Sequence, residues 1–197
     1  MKRALLAFVF LIVSLPLPAQ VSAPAAAKPS PVVQDLYTAL IGEWTGVLEY
    51  RDYKSDKRVK LPTWFSISAN KDDSLRFRYI YDDGPNKTVT EAIFVTIDPV
   101  KQTYTIVDPA GKDAPSVSII SGMENLRQGR GTLVLSGTGT DNGKPAEVRT
   151  TISIGRNLLE ILRETKVAGE DFKFRHTYTF TRSIPPTLLG GSHQVTP

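Results

Sequence analysis

The chain has 197 residues, a formal net charge of +4 at pH 7 and no cysteine. No five charges of one sign stand together, so the charge pattern excludes a nucleic-acid-binding arm and a polybasic membrane patch. The lack of cysteine excludes disulfides, thiol catalysis and lipid attachment at a cysteine.

The N-terminus predicts an export signal. Lys2 and Arg3 precede an apolar run over residues 4–15, which has the length of a signal-peptide core and is short for a membrane span. We place a signal peptide and leader at residues 1–27, with cleavage near residue 19 or 27; an uncleaved anchor is the alternative. Cleavage would leave a nearly neutral chain with no stable membrane insertion. Export without cysteine is typical of a bacterial periplasmic or secreted protein.

Residues 32–41 predict a short amphipathic helix. Apolar side chains recur there at steps of three and four residues, and Gly42 ends the pattern. A helix directly before the first strand of a barrel usually covers one end of it, so we expect this segment to act as a plug.

The chain from Trp44 to Arg182 predicts strands and tight turns, with no helix between them. Val, Ile, Thr, Tyr and Phe dominate the strand segments. Asp, Asn, Gly and Pro, the residues that tight turns require, separate these segments. We predict ten strands, over residues 44–54, 60–69, 74–82, 87–97, 101–108, 115–123, 130–139, 146–155, 158–167 and 171–182.

Ten consecutive strands predict an all-β domain over residues 32–182, built as a single antiparallel up-and-down β-barrel. A Greek-key sandwich is the alternative, but it needs longer returns than the short turns of this sequence. A closed barrel also removes the sheet edges that promote aggregation, and ten strands leave room inside for a ligand. The segment 183–197, with its Pro and Gly pairs, is expected to be an irregular tail.

The last predicted strand gives the clearest indication of the barrel interior. Its side chains alternate over residues 172–182, and successive side chains of a strand face opposite sides of the sheet. One side is aromatic and contains a single histidine, which predicts an apolar lumen suited to a small hydrophobic molecule. The side assigned to the interior consists of Phe172, Phe174, His176, Tyr178, Phe180 and Arg182.

The predicted ligand contacts combine this strand with three earlier ones. Trp64 and Phe65 are neighbours, so only one of them faces inward, and the phase of the second strand favours Phe65. Tyrosines on the interior would add hydroxyl groups to an apolar lining. We predict that the ligand contacts Tyr50, Phe65, Phe77, Tyr79, Phe174, His176 and Tyr178.

Glu91 is a carboxylate on an otherwise apolar strand face, which would suit a general acid or base. Two structural alternatives stand beside that hypothesis. Glu91 pairs with an inward arginine such as Arg182, or a one-residue shift of the strand phase over 87–123 turns it outward. The sequence contains no Gly-x-Ser-x-Gly turn and too few histidines for a hydrolytic metal site, so we predict no catalytic or metal-ligating set.

Residues 40–46, LIGEWTG, resemble the Gly-x-Trp opening of the lipocalin and calycin superfamily. In that superfamily a basic residue at the end of the last strand packs over the tryptophan, and Arg182 stands in the matching position. The resemblance implies that Trp44 and Arg182 close the barrel base through a cation–π contact worth about 1 kcal/mol. Chain length and strand number are similar to those of the ten-stranded nitrobindin-like haem barrels and of small exported lipocalin-like domains.

The resemblance adds haem binding through His176 as an alternative function. Nitrobindin-like barrels bind haem iron through a histidine near the start of the last strand, and His176 lies in a similar place. The expected function is an exported, non-catalytic carrier of a small hydrophobic ligand, without a resident cofactor. A haem-binding barrel that uses His176 is the first alternative. A packed structural or interaction domain with an unknown protein partner is the second.

Overall fold

The computed structural model describes residues 30–111 and 113–183, so the predicted signal peptide and nearly all of the predicted tail lie outside the described residues. The described residues form one α-helix and ten β-strands, as the sequence predicts. They also contain a 3₁₀ helix, Met123–Asn125, which was not predicted and which follows Gly122 in the left-handed conformation. The elements are α1 Pro31–Leu40, β1 Gly42–Arg51, β2 Arg58–Ala69, β3 Leu75–Asp82, β4 Thr88–Asp98, β5 Thr103–Val107, β6 Ser116–Ser121, β7 Gly131–Asp141, β8 Lys144–Ile154, β9 Leu158–Val167 and β10 Lys173–Arg182.

The ten strands close into one barrel in which each strand pairs antiparallel with its neighbours in the sequence. The ring closes between β1 and β10, whose register runs from Trp44 opposite Arg182 to Tyr50 opposite His176. This order confirms the up-and-down barrel and excludes the Greek-key alternative, in which the chain would return to a non-neighbouring strand. The first and last strands of the domain therefore lie side by side.

The helix α1 covers the end of the barrel at which β1 begins. Ser30 caps the helix, because its hydroxyl accepts a hydrogen bond from the Val33 N–H at 3.4 Å, and Pro31 supplies the φ of a first helical turn. Leu36 and Leu40 are almost completely buried over the apolar ends of β7, β8 and β9. Burial of each leucine contributes about 1.5–3 kcal/mol. The helix therefore acts as the predicted plug.

Arg182 joins the plug to the first and last strands. Its guanidinium carbon lies 4.2 Å from the centre of the Trp44 ring, which is the contact that the resemblance implies. Its Nη1 donates a hydrogen bond to the Ile41 carbonyl at 2.8 Å, and its Nη2 donates to the Ala39 carbonyl at 2.5 Å. These carbonyls belong to the end of α1, so the cation satisfies groups that a helix terminus leaves unpaired. Trp44 Nε1 donates to the Leu40 carbonyl at 3.0 Å.

Gly42 makes room for this arginine. Its φ of 143° lies in a region that favours glycine. A Cβ atom added at this position would lie 2.5 Å from Nη1 of Arg182, which is closer than real contacts allow. The glycine of the Gly-x-Trp opening is therefore required for the close approach of the guanidinium.

The half of the barrel nearest α1 is filled by aromatic side chains. Phe65 is fully buried, and its ring centre lies 4.2 Å from that of Tyr79, 5.2 Å from that of Phe77 and 5.0 Å from that of Phe180. Such pairs contribute about 0.5–1.5 kcal/mol beyond the area they bury. Trp64 is 48% exposed and faces outward, as predicted. These rings form the packed core next to the plug.

Replacement of Arg182 tests the closure. We expect Arg182→Met to lower the free energy of unfolding by about 2–3 kcal/mol, because it removes two charge-assisted hydrogen bonds and a cation–π contact. Urea denaturation followed by tryptophan fluorescence measures the change. Arg156→Met is the matched control, since Arg156 is exposed in the β8–β9 turn. A loss below about 0.5 kcal/mol for Arg182→Met would show that this residue does not close the barrel.

Candidate ligand-binding site

The half of the barrel away from α1 encloses a cavity of 190 Å³, here named the lumen cavity. A second space of 260 Å³, the rim cavity, adjoins it at the mouth and shares Glu91 and Tyr178 with it. Together they reach the size range of small-molecule pockets, about 300–1,000 Å³. The lumen cavity is lined by the largely apolar side chains of Phe77, Tyr79, Ile93, Tyr104, Ile106, Leu135, Val148, Ile152 and Ile161, and by Glu91, Ser116, Ser118, Thr138, Thr150, Arg163, His176 and Tyr178.

Six of the seven predicted lining residues lie inside the barrel, at three different levels. Phe77, Tyr79, His176 and Tyr178 line the lumen cavity. Tyr50 lines the rim cavity instead. Phe65 belongs to the packed half, where other rings cover it. The lining prediction thus brings four residues together around one space, and whether they contact a ligand stays a prediction.

Phe174 does not face the interior, so its predicted place in the lining is wrong. The ladder between β10 and β9 shifts between Phe174, opposite Glu164, and His176, opposite Arg163. One residue, Arg175, is therefore extra in β10, and such a bulge reverses the faces of the residues before it. The Phe174 ring lies under the Arg58 guanidinium, 3.9 Å from its carbon.

The same bulge places Phe172 on the outer face of the sheet, so its predicted place on the inner face is wrong. Its ring lies against the Arg149 guanidinium, with 4.0 Å between the ring centre and the guanidinium carbon. Arg149 also pairs with Glu164, and both belong to the outer face of the sheet. A regular alternation in the sequence does not reveal a bulge, because the extra residue leaves the pattern of residue types unchanged.

The bulge turns Arg175 inward, where it forms a buried ion pair with Asp141. Arg175 Nε donates to the Thr165 hydroxyl at 2.7 Å, and that hydroxyl donates to Asp141 Oδ2 at 2.8 Å. The Tyr53 hydroxyl donates to Asp141 Oδ1 at 3.1 Å. Asp141 and Thr165 are 4% and 3% exposed. These four residues, the polar lock, hold β7, β9 and β10 together near the mouth.

Sequence reasoning missed the polar lock. Asp141 stands directly before Asn142-Gly143 and lies beyond the predicted strand 130–139, although it is the last residue of β7. Arg175 was assigned to the outer face by the same alternation that misplaced Phe174. No local signal pairs residues so far apart in the chain.

The strand phase does not shift at Glu91, whose exposed carboxylate lines both cavities at the mouth of the barrel. The Tyr81 hydroxyl donates to its Oε2 at 3.1 Å, so its partner is this tyrosine rather than Arg182. The hydroxyls of Tyr81 and Tyr178 lie 3.0 Å apart. Since Tyr81 uses its hydrogen on Glu91, Tyr178 donates to Tyr81. Burial raises the pKa of Tyr81 and of Tyr178, so both hydroxyls stay protonated.

His176 projects into the lumen cavity beside Tyr178. The two ring centres are 5.4 Å apart and the rings meet edge to face. Burial, with the nearby Arg163 cation, lowers the pKa of the His176 imidazole to about 4. The ring is therefore neutral at physiological pH and offers one donor and one acceptor nitrogen.

Arg163 is a lumen residue that sequence reasoning did not single out. It stands on β9 opposite Thr150 of β8 and His176 of β10. Burial lowers the pKa of its guanidinium, yet an arginine stays charged at any physiological pH. The alternation Leu159, Ile161, Arg163 along β9 was the available signal, because it places the arginine on an apolar face.

The described part of the chain shows no metal centre and no spanning helix. No three His, Asp or Glu side chains within residues 30–111 and 113–183 are placed to share a metal ion. In the same residues no helix is long and apolar enough to cross a membrane.

Comparison with known proteins supports the fold. No family model matches the sequence, and neither does any curated protein. Among solved structures the chain is similar to the S-type phycobiliprotein lyase CPES from Guillardia theta, with a TM-score of 0.54 and 12% sequence identity. The match covers 77% of this chain and 93% of that one. At this identity the likeness shows a shared barrel fold alone; membership of the lipocalin and calycin superfamily and kinship with nitrobindin stay predictions.

Removal of the Asp141 charge from the polar lock should lower the stability of the fold. We expect Asp141→Asn to lower the free energy of unfolding by about 3 kcal/mol, because it leaves the Arg175 cation buried without its counterion. Asp83→Asn is the control, since Asp83 pairs with Lys87 on the surface and such pairs contribute at most about 0.5 kcal/mol. Urea midpoints of the three proteins at neutral pH give the comparison. Equal losses for both variants would contradict the buried lock.

The neutral imidazole of His176 predicts a pH dependence of stability. The pKa is about 4 in the fold against 6.5 for the free side chain, so the unfolded chain binds a proton first as the pH falls. Stability is complete above about pH 6.5 and is lost towards pH 4. Between about pH 7.5 and pH 5 we expect wild-type protein to lose about 2 kcal/mol more than His176→Gln. Parallel pH profiles in urea denaturation would contradict this placement of the ring.

Proposed function

We propose that this chain is an exported, non-catalytic carrier that holds one small hydrophobic molecule in the lumen cavity. One observation carries the proposal: beside its packed aromatic rings the barrel interior keeps an open space of 190 Å³. A fully packed interaction domain would fill this space, as folded cores do. An apolar wall with a few converging polar groups is the usual form of a small-molecule pocket.

The polar groups of the lumen support binding rather than catalysis. A general base works best with a pKa near the operating pH, and the pKa of His176 is about 4. Glu91 already accepts the Tyr81 hydroxyl. The structural neighbour is named as a lyase of phycobiliproteins, but a shared fold does not carry an activity. We therefore assign these side chains to ligand orientation.

The residues around His176 do not fit a haem. An axial histidine needs a flat slot beside its ring that is wide enough for a porphyrin. Here the Tyr178 ring stands edge-on to the imidazole, and its centre lies 5.3 Å from that of Tyr79 and 6.5 Å from that of Tyr81. A titration with haemin is expected to give no shifted Soret band.

Export is part of the proposal, because a carrier in the periplasm would bind ligands that cross or leave a membrane. It depends on the predicted signal at residues 1–27. Fractionation of the host, followed by N-terminal sequencing of the protein, tests it. We expect a chain that starts near residue 20 or 28, recovered from the periplasm or the medium.

A cavity-filling variant tests the carrier function. The probe is N-phenyl-1-naphthylamine, an uncharged apolar fluorophore whose emission rises when it leaves water. We expect it to bind wild-type protein at a single site and to bind Thr150→Phe at least tenfold more weakly, because Thr150 lines the lumen cavity. Thr151→Phe is the matched control, since the next residue of β8 faces outward.

Two readouts keep this test decisive. An added ring inside a barrel lowers the free energy of unfolding by about 1–3 kcal/mol. Thr150→Leu, a smaller change, is therefore measured beside Thr150→Phe, and thermal denaturation checks that each variant is folded. Graded loss of binding in folded variants supports the carrier. Failure of wild-type protein to bind, or equal binding by Thr150→Phe and Thr151→Phe, would overturn it and favour the packed interaction domain.

A further inference from the structure

Arg163 is a partly buried cation with no counterion among the described residues. Within the described residues its guanidinium forms no hydrogen bond and no ion pair, although its neighbours on β8 and β10 line the same cavity. A buried charge normally has a partner, because an unpaired one loses its hydration without compensation. Its N–H donors are therefore available to an anionic ligand.

Of three acidic residues on neighbouring parts of the sheet, two form ion pairs and one accepts a hydrogen bond from a tyrosine. Asp141 is neutralised by Arg175 within the polar lock. Glu91 accepts the Tyr81 hydroxyl on the β3–β4 side of the barrel. Glu164, the next residue of β9, faces outward and pairs with Arg149. None of the three pairs with Arg163.

The guanidinium borders the open space of the lumen cavity. Gly139 of β7 keeps this wall low, since a Cβ added to it would lie 3.9 Å from Nη2 of Arg163 and 3.1 Å from Cγ2 of Val148. Ser118 and Thr150 place hydroxyls on the same cavity. A planar anion could thus meet the arginine fork, with hydroxyl donors close by.

We propose that the bound molecule is an apolar carboxylic acid whose carboxylate binds the Arg163 guanidinium. This inference rests on the proposed carrier function and names its ligand class. The planar, two-oxygen carboxylate matches the two parallel N–H donors of arginine. The apolar body would lie along Phe77, Ile152 and Ile161, which line the lumen cavity. His176, neutral beside the cation, would donate or accept at the edge of the same group.

Head-group competition tests the inference. Dodecanoic acid and 1-dodecanol, which share one apolar chain, are titrated against bound N-phenyl-1-naphthylamine. In wild-type protein we expect the acid to compete at least tenfold more strongly than the alcohol. In Arg163→Met we expect the affinity for the acid to fall by about 10- to 100-fold, as for loss of a charged hydrogen bond, and that for the alcohol to change less than twofold.

The controls separate this inference from the carrier function. Arg149→Met removes an outward arginine from the neighbouring strand and should leave both affinities unchanged. Arg163→Lys retains the charge and should keep part of the preference for the acid. If wild-type protein binds the acid and the alcohol equally, or Arg163→Met retains the preference, the carboxylate site is wrong and the carrier stands. If wild-type protein binds no probe, both proposals fail.

Discussion

The contact of Arg182 with Trp44 and with the end of α1 is the constraint on which the rest of the structure depends. It fixes β10 beside β1, and only this closure turns ten strands into a ring with an inside. The same guanidinium binds two carbonyls at the helix end, so one side chain links the plug to the seam of the ring. A sheet left open at this seam would expose two edges and lose the enclosed cavity.

The closed barrel divides its interior into a stabilising half and a binding half. On the α1 side, Phe65 and its neighbouring rings pack as in a normal protein core. Near the mouth of the barrel, the polar lock of Asp141 and Arg175 ties three strands together without filling the lumen. Arg163 can remain charged and unpaired because packing elsewhere offsets its cost. A site that lowers stability while it is empty is expected where a ligand completes it.

The sequence predicted the fold well, because local chemistry determines it. Turn residues separate the strands, alternation sets their faces, and the Gly-x-Trp opening indicates where the ring closes. The site was predicted less well. The bulge at Arg175 placed Phe174 outside, and an extra residue leaves no trace in an alternating pattern. The sequence also could not predict that Arg163 lacks an acidic partner. That conclusion requires the structure, which shows the contacts that Asp141, Glu91 and Glu164 make instead.

Native mass spectrometry of the protein purified from its own host, without denaturation, tests the central claim most directly. The hollow half of the barrel predicts a bound molecule that leaves on mild activation and that ionises as an organic acid after extraction. The account would be contradicted if the protein appears only at the mass of its chain and acquires no adduct when it is incubated with apolar carboxylic acids.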